Sequence, residues 1–349
     1  MSPKYQKVFL TALGYELGPE VVTSDELEER LAPVYQRLNL QAGQLEAWTG
    51  IAERRWWPKD ARLSQGAIAA ARKALEKSSV KAGNLGVLIY AGVCRENFEP
   101  ATACAVANAL GVRDGVSVYD LSNACLGVLN GMIDIANRIE LGQIRAGLVV
   151  SCETSREINE IVISQLMEGV TMDRFAEAIA TFTGGSGATA MLLTDGSFAG
   201  AKGHRLLGAV SQVAPEHHEL CRWGLQAAGG NAQAQFMATD SVSVLKYGVL
   251  LGQKTWQLFQ TEMGWNTAEI DRVICHQVGS GHQDAILKSL GVPRDRDFTT
   301  FRHLGNMGTA ALPVTAAIAD ERGVLAPGQK VAFLGIGSGL TCLMMGLEW

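Results

Sequence analysis

The sequence predicts an α/β layered protein with largely parallel sheets, built from two similar halves. Three observations carry this. Strand-sized apolar runs alternate with helix-patterned segments along the whole chain, the order that packs helices onto parallel strands. A strand–helix–strand–turn–helix–strand pattern occurs once in each half. The 349 residues, 47% hydrophobic and 19% charged, suit two core-forming units or one large α/β body and exclude intrinsic disorder.

Residues 4–15 have a basic start and a short apolar run, superficially like a secretory leader. No small-residue cleavage site follows, and Glu16, Glu20 and Asp25 arrive at once, so the segment reads as a first strand over 8–14. Further buried strands are expected at 85–92, 116–120, 147–152, 188–194, 272–276 and 330–335. Apolar residues at helical spacing predict helices over 63–77, 102–110, 126–140, 241–263, 283–290 and 309–322. In the repeat, the strands beginning at Val87, Val116 and Gly147 correspond to those beginning at Arg272, Asp297 and Lys330, the middle one spanning 297–300. Cys125, His276 and Asn306 then fall at strand ends of related units, where open parallel sheets gather their ligands.

Several functions are excluded early. A net charge of −5 offers no global basic field for a nucleic-acid backbone. No apolar stretch approaches the roughly 18 residues of a membrane-spanning helix. The seven cysteines are odd in number, irregularly spaced and without a CxxC pair, which argues against a disulfide framework or zinc ribbon and for a cytoplasmic, reduced setting. His217, His218 and Cys221 lack further residues at ligand spacing, so no metal is expected. Trp56 and Trp57 after Arg54 and Arg55 read as packing with a solvated edge.

Cys125 lies where an apolar strand ends and an apolar-periodic helix begins, flanked by Ala124 and Gly127. A thiol at a helix N-terminus is expected to have its pKa lowered toward thiolate. His276 ends an apolar strand, and Asn306 sits between Gly305 and Gly308 before a helix. Taken singly, these read as a buried cysteine, a core histidine and a turn residue. The stretch Gly335-Ile-Gly-Ser-Gly339 is too close to the C-terminus for a dinucleotide-binding unit and is better suited to presenting backbone amides to an oxyanion. Together, a nucleophilic thiol, an imidazole, a carboxamide and an amide-rich loop are what a thioester carbon–carbon condensation requires.

On Ser122-Asn-Ala-Cys125, Cys275-His276-Gln277, Gly305-Asn306-Met-Gly308 and Gly335-Ile-Gly-Ser-Gly339, in that order, the chain resembles the thiolase superfamily and its class III β-ketoacyl synthases (FabH-like enzymes). The resemblance implies a five-layered αβαβα sandwich of two halves, 1–200 carrying Cys125 and 201–349 carrying His276 and Asn306, and a homodimer. It implies that Cys125 is acylated, that His276 and Asn306 stabilise an enolate, and that the amides of Cys125 and Ser338 form the oxyanion hole. It implies coenzyme A thioesters as substrates rather than a tightly bound cofactor. The region 157–183, by the same resemblance, borders the acyl tunnel and the dimer interface.

Departures from the malonyl-using members are informative. His276-Gln-Val-Gly279 stands where they carry His-Gln-Ala-Asn, and Trp48 precedes Thr49-Gly50-Ile51 where they carry Arg. Glu99 stands where they carry an apolar residue. In these respects the chain resembles the OleA branch, which joins two acyl-CoA molecules head to head with the matching glutamate as base, reaching the partner subunit's site. Trp48 and Arg54 are the candidates for holding coenzyme A. The leading expectation is an acyl-CoA-primed synthase condensing with a malonyl thioester on acyl carrier protein, with OleA-type condensation as the alternative. A non-catalytic paralogue is disfavoured because Cys125, His276 and Asn306 are all retained.

Overall fold

The five residues Val87–Ala91 are buried without exception, the pattern of a strand covered on both faces. Their side chains divide by the strand period: Val87, Ile89 and Ala91 join one apolar core, while Leu88 and Tyr90 join another. Lys330–Gly337 splits likewise, with Val331 and Phe333 in the first core and Ala332 and Leu334 in a third. One core is therefore shared between two sheets, and each sheet has an outer core of its own.

The computed structural model describes residues 4–198, 203–227 and 233–349. Its strands in chain order are β1 (Phe9–Leu17), β2 (Glu20–Thr23), β3 (Glu53–Trp56), β4 (Val87–Ala91), β5 (Ser117–Leu121), β6 (Ala146–Glu153), β7 (Gly187–Thr194), β8 (His204–Val213), β9 (Cys221–Ala227), β10 (Gln233–Thr239), β11 (Arg272–Cys275), β12 (Lys330–Gly337) and β13 (Thr341–Glu348). Nine of them run β11-β12-β13-β8-β1-β7-β6-β4-β5, with the short β1–β8 pairing of Phe9 with Arg205 and Leu10 with His204 joining the two parts. In the first part β5, β4 and β6 are parallel, then β7 and β1 antiparallel. In the second, β11 and β12 are parallel, then β13 and β8 antiparallel. The repeat seen in the sequence is thus a repeat of strand direction.

Helices complete five layers. Leu63–Glu76 and Thr102–Leu110 cover the outer face of the first sheet, and Ser241–Met263 and Ser280–Leu290 that of the second. Gly127–Glu140 and Ala311–Glu321 lie in the shared core; nine of the eleven residues of the latter are buried in sequence from Ala311 to Ala319. This is the thiolase-like αβαβα sandwich expected from the motifs.

The strand expected over 297–300 does not form. Only Asp297 bridges to Val273, at the place β5 occupies beside β4. Side chains take the partners a strand would need: Asp297 accepts the Cys275 N–H (3.3 Å) and Gln277 accepts the Thr300 N–H (2.8 Å). The segment 157–183 forms two helices, Arg156–Glu168 and Met172–Phe182. No described helix is long and apolar enough to cross a membrane.

Candidate active site

Cys125 follows β5 on a turn braced by two hydrogen bonds: Asn123 Nδ2 donates to Asn130 Oδ1 (2.7 Å), and the Leu126 N–H donates to Asn123 O (2.9 Å). Ala124 holds φ at +45°, a left-handed conformation that costs an alanine about 1–2 kcal/mol. The glycine-rich exit of β12 lies against this turn. A β-carbon on Gly337 would stand 3.4 Å from the Cys125 amide nitrogen, and one on Gly335 only 2.6 Å from Leu126 Cδ2. Gly335 therefore must lack a side chain for the two segments to meet, which brings Ser338 beside Cys125.

Cys125, His276, Asn306 and Ser338 all line one largely apolar cavity of about 260 Å³, and Trp48 forms part of its wall. Ile179, Ala180 and Thr183 contribute from the 157–183 region. Cys125 follows β5 and His276 follows β11, as the repeat implied, whereas Asn306 follows the irregular segment 297–300 and the short helix Phe301–Leu304.

The electrostatics differ from expectation at the thiol. Burial pushes the Cys125 pKa up to about 12, with Cys221 and Glu153 adding to the rise, rather than down toward thiolate. Removal of solvent in the apolar cavity outweighs the dipole of the helix behind it. Burial also lowers the His276 pKa to about 4, with neighbouring His282 contributing, so the imidazole is neutral at pH 7. Its Nδ1 is buried without a hydrogen-bond partner among the described residues. Asn306 Oδ1 accepts the Gly308 N–H at 3.0 Å, which commits the carbonyl and leaves the NH₂ as the free donor. A neutral imidazole and a free amide NH₂ can each donate a hydrogen bond to a developing oxyanion.

Two expected residues stand elsewhere. Arg54, a coenzyme A candidate, is fully buried; its guanidinium donates to Val22 O (3.3 Å), Ser24 Oγ (3.0 Å) and Phe182 O (3.0 Å). It is a structural cross-link out of a ligand's reach, because β3 alternates and puts Arg54 inside. Glu99 lies on the exposed segment 97–100, outside the cavity of its own chain, beside Phe98, which is 95% exposed. Trp56 is buried and Trp57 Nε1 donates to Glu153 O (3.0 Å), so both tryptophans pack as expected. His217 stacks on Tyr247, and among the described residues no group of three or more His, Cys, Asp or Glu is placed to hold a metal.

Sequence reasoning missed Glu153 and named Gln277 only as part of a motif, without a role. Glu153 ends the all-buried β6 and accepts the N–H groups of Val93 (2.9 Å) and Cys94 (3.1 Å). Gln277 Oε1 accepts the Thr300 and Phe301 N–H groups while its Nε2 donates to Cys275 O (2.7 Å), tying the His276 strand end to the segment leading to Asn306. A carboxylate closing an otherwise apolar strand was the available signal for Glu153.

Known proteins give the class. Residues 261–349 match the family model for the 3-oxoacyl-[acyl-carrier-protein (ACP)] synthase III C-terminal region. A protein named acyl-CoA:acyl-CoA alkyltransferase from Shewanella oneidensis is 53% identical over 348 residues, 99% of this chain and 100% of its own. A protein of the same name from Xanthomonas campestris is 36% identical, over 99% of both chains. The crystal structure of Xanthomonas campestris OleA with bound lauric acid and lauroyl-CoA superimposes with a TM-score of 0.92 at 35% identity, covering 99% of this chain and 100% of that one. FabH from Xanthomonas oryzae gives the same score and identity over 100% of both. The protein is an acyltransferase of the condensing type. The chain belongs to the thiolase superfamily, among its class III, FabH-like members and on their OleA branch.

Proposed function

We propose that the protein condenses two acyl-CoA molecules head to head. The observation that carries this choice is the 53% identity, over 99% of the chain, to a protein named acyl-CoA:acyl-CoA alkyltransferase. The malonyl-thioester reaction, which the motifs alone put first, is supported only by the wider synthase family.

In this reading the Cys125 sulfur attacks the first thioester carbonyl. The bond from acyl carbon to coenzyme A sulfur breaks, and coenzyme A leaves as a thiol carrying the proton Cys125 gives up. The backbone amides of Cys125 and Ser338 hold the tetrahedral oxyanion. A carboxylate then removes an α-proton from the second acyl-CoA, and His276 with the Asn306 NH₂ holds the resulting enolate oxygen. The α-carbon attacks the acyl-Cys125 carbonyl, the carbon–sulfur bond to Cys125 breaks, and a β-keto acyl-CoA leaves with the thiol restored. Coenzyme A enters only as part of substrate.

Glu99 is the base in this scheme. It is exposed and outside its own cavity, which fits a residue serving Cys125 of a second copy, so the working enzyme is a homodimer. The near-complete exposure of Phe98 beside it supports the same arrangement, since a bare phenylalanine is the kind of surface a partner covers.

Product mass spectrometry after incubation with a medium-chain acyl-CoA, with and without malonyl-acyl carrier protein, tests the proposal. A doubled-length β-keto product from acyl-CoA alone, absent in Cys125→Ala and Glu99→Ala, is expected. A product two carbons longer, made only with the malonyl donor and indifferent to Glu99→Ala, would establish chain extension instead.

A further inference from the structure

Glu153 is a buried carboxylate with no ion pair among the described residues and no place on the cavity wall. Its partners are backbone N–H groups from segments that matter to the chemistry. Oε1 accepts from Val93 at 2.9 Å and Oε2 from Cys94 at 3.1 Å, fixing the start of the exposed segment that carries Glu99. Tyr90 Oη supports the same spot, within hydrogen-bond distance of Cys94 O (2.9 Å) and Cys152 O (2.7 Å).

On its other side the carboxyl meets the Asn306 turn. A β-carbon on Gly308 would stand 3.2 Å from Glu153 Cδ and 3.3 Å from its Oε1. Gly308 holds φ at +54° and gives its N–H to Asn306 Oδ1, so the position of Gly308 sets which way the Asn306 NH₂ points. One side chain thus braces both the segment bearing the proposed base and the turn bearing the enolate donor.

We infer that Glu153 is a positioning residue for the condensation step, holding both the Asn306 turn of its own active site and the segment that presents Glu99 to the site of the second copy. This rests on the condensing reading above. Only a carboxylate meets the demand, because it accepts on both oxygens; a glutamine would turn an NH₂ toward one of the backbone donors and release that arm. Acylation depends on Cys125 and its own oxyanion amides, which Glu153 does not hydrogen-bond, so the two half-reactions should separate.

The test is Glu153→Gln, read three ways. Intact-mass acylation of Cys125 by an acyl-CoA should stay within about threefold of the parent, and KM should hardly move. Turnover to β-keto product should fall about tenfold or more, the scale of a misplaced reacting group. Hydrogen–deuterium exchange should rise together in peptides covering 92–101 and 304–311 while the helix Leu63–Glu76 stays protected. Acylation falling in step with turnover, or turnover unchanged, would overturn the inference. So would unchanged exchange in either peptide, a result independent of which thioester is the substrate. If the parent makes no β-keto product from acyl-CoA alone, the functional reading fails while the exchange result still decides the brace. Should Glu153→Gln not fold, Gly308→Ala presses on the contact from the opposite side, and normal condensation by that variant would equally refute it.

Discussion

Thr309 and Val128, remote in sequence, are joined by a hydrogen bond: Thr309 Oγ1 accepts the Val128 backbone N–H at 2.8 Å. The helix Gly127–Glu140 has no side-chain cap of its own, so the first turn behind Cys125 is capped by the other half of the molecule. Thr309→Val keeps the shape but leaves a buried N–H unpaired, at a cost of about 1–3 kcal/mol. Thermal denaturation should show a lower Tm for Thr309→Val and a near-parental one for Thr309→Ser. Equal Tm values for parent and Thr309→Val would dismiss the cap.

Cys125 reactivity should track its raised pKa. With the thiol held up to about 12 by burial, labelling by iodoacetamide should keep rising with pH above 7 and show no plateau near neutrality. Peptide mass mapping separates Cys125 from the other cysteines. A plateau below pH 8 would contradict the buried-thiol description.

Two contributions to the acid limb of stability oppose each other. His276 titrates near 4 in the folded protein against 6.5 as its reference, so the unfolded chain binds more protons in that window and stability is lost as pH falls through it. Asp297 is raised by burial to about 6 from 3.8, so its contribution is present at low pH and lost as pH rises through about 6. Urea denaturation between pH 4 and 7 should show His276→Asn gaining stability relative to the parent as pH drops. A pH-independent difference would rule out a neutral buried His276.

Gly248 and Gly252 cost a helix about 1 kcal/mol each relative to alanine, yet both sit inside Ser241–Met263 and face the cavity. A β-carbon at Gly248 would stand 2.9 Å from Ile336 Cδ1, and one at Gly252 2.7 Å from Ile286 Cδ1. Both isoleucines also line the cavity, so either alanine variant should displace an apolar wall into it. Competition between acyl-CoAs of different length should then shift acylation toward the shorter. An unchanged length profile would place the acyl chain elsewhere.

Arg54→Met should distinguish a cross-link from a coenzyme A contact. It removes the donors to Val22, Ser24 and Phe182, so a loss of stability of about 1–3 kcal/mol is expected with KM for acyl-CoA nearly unchanged. A severalfold rise in KM at parental stability would return Arg54 to the substrate.

Much of the architecture was legible because its signals are local. The helices over 102–110 and 241–263 form at the expected bounds, since a 3.6-residue apolar period needs no knowledge of the rest of the chain. The strands β4, β6 and β7 were visible as short, largely apolar runs. β8 and β13 were not, although they repeat the roles of β1 and β7 and β13 follows its antiparallel partner β12 directly. Asp297 failed as a strand since side chains of Gln277 and Asp297 itself took up the backbone donors nearby.

At the site, the sequence determined by itself which residue types occur in which order: Cys125 after a strand, His276 ending another, Asn306 between glycines, and the glycine-rich 335–339 exit. Chemical identity and spacing along the chain are local properties. The tertiary structure alone decided that these meet in one apolar cavity, that burial raises the Cys125 thiol and keeps His276 neutral, that Arg54 faces inward, and that Glu153 braces two loops. Desolvation and hydrogen-bond partnership depend on what the rest of the fold places around a group, and no stretch of neighbouring residues specifies that.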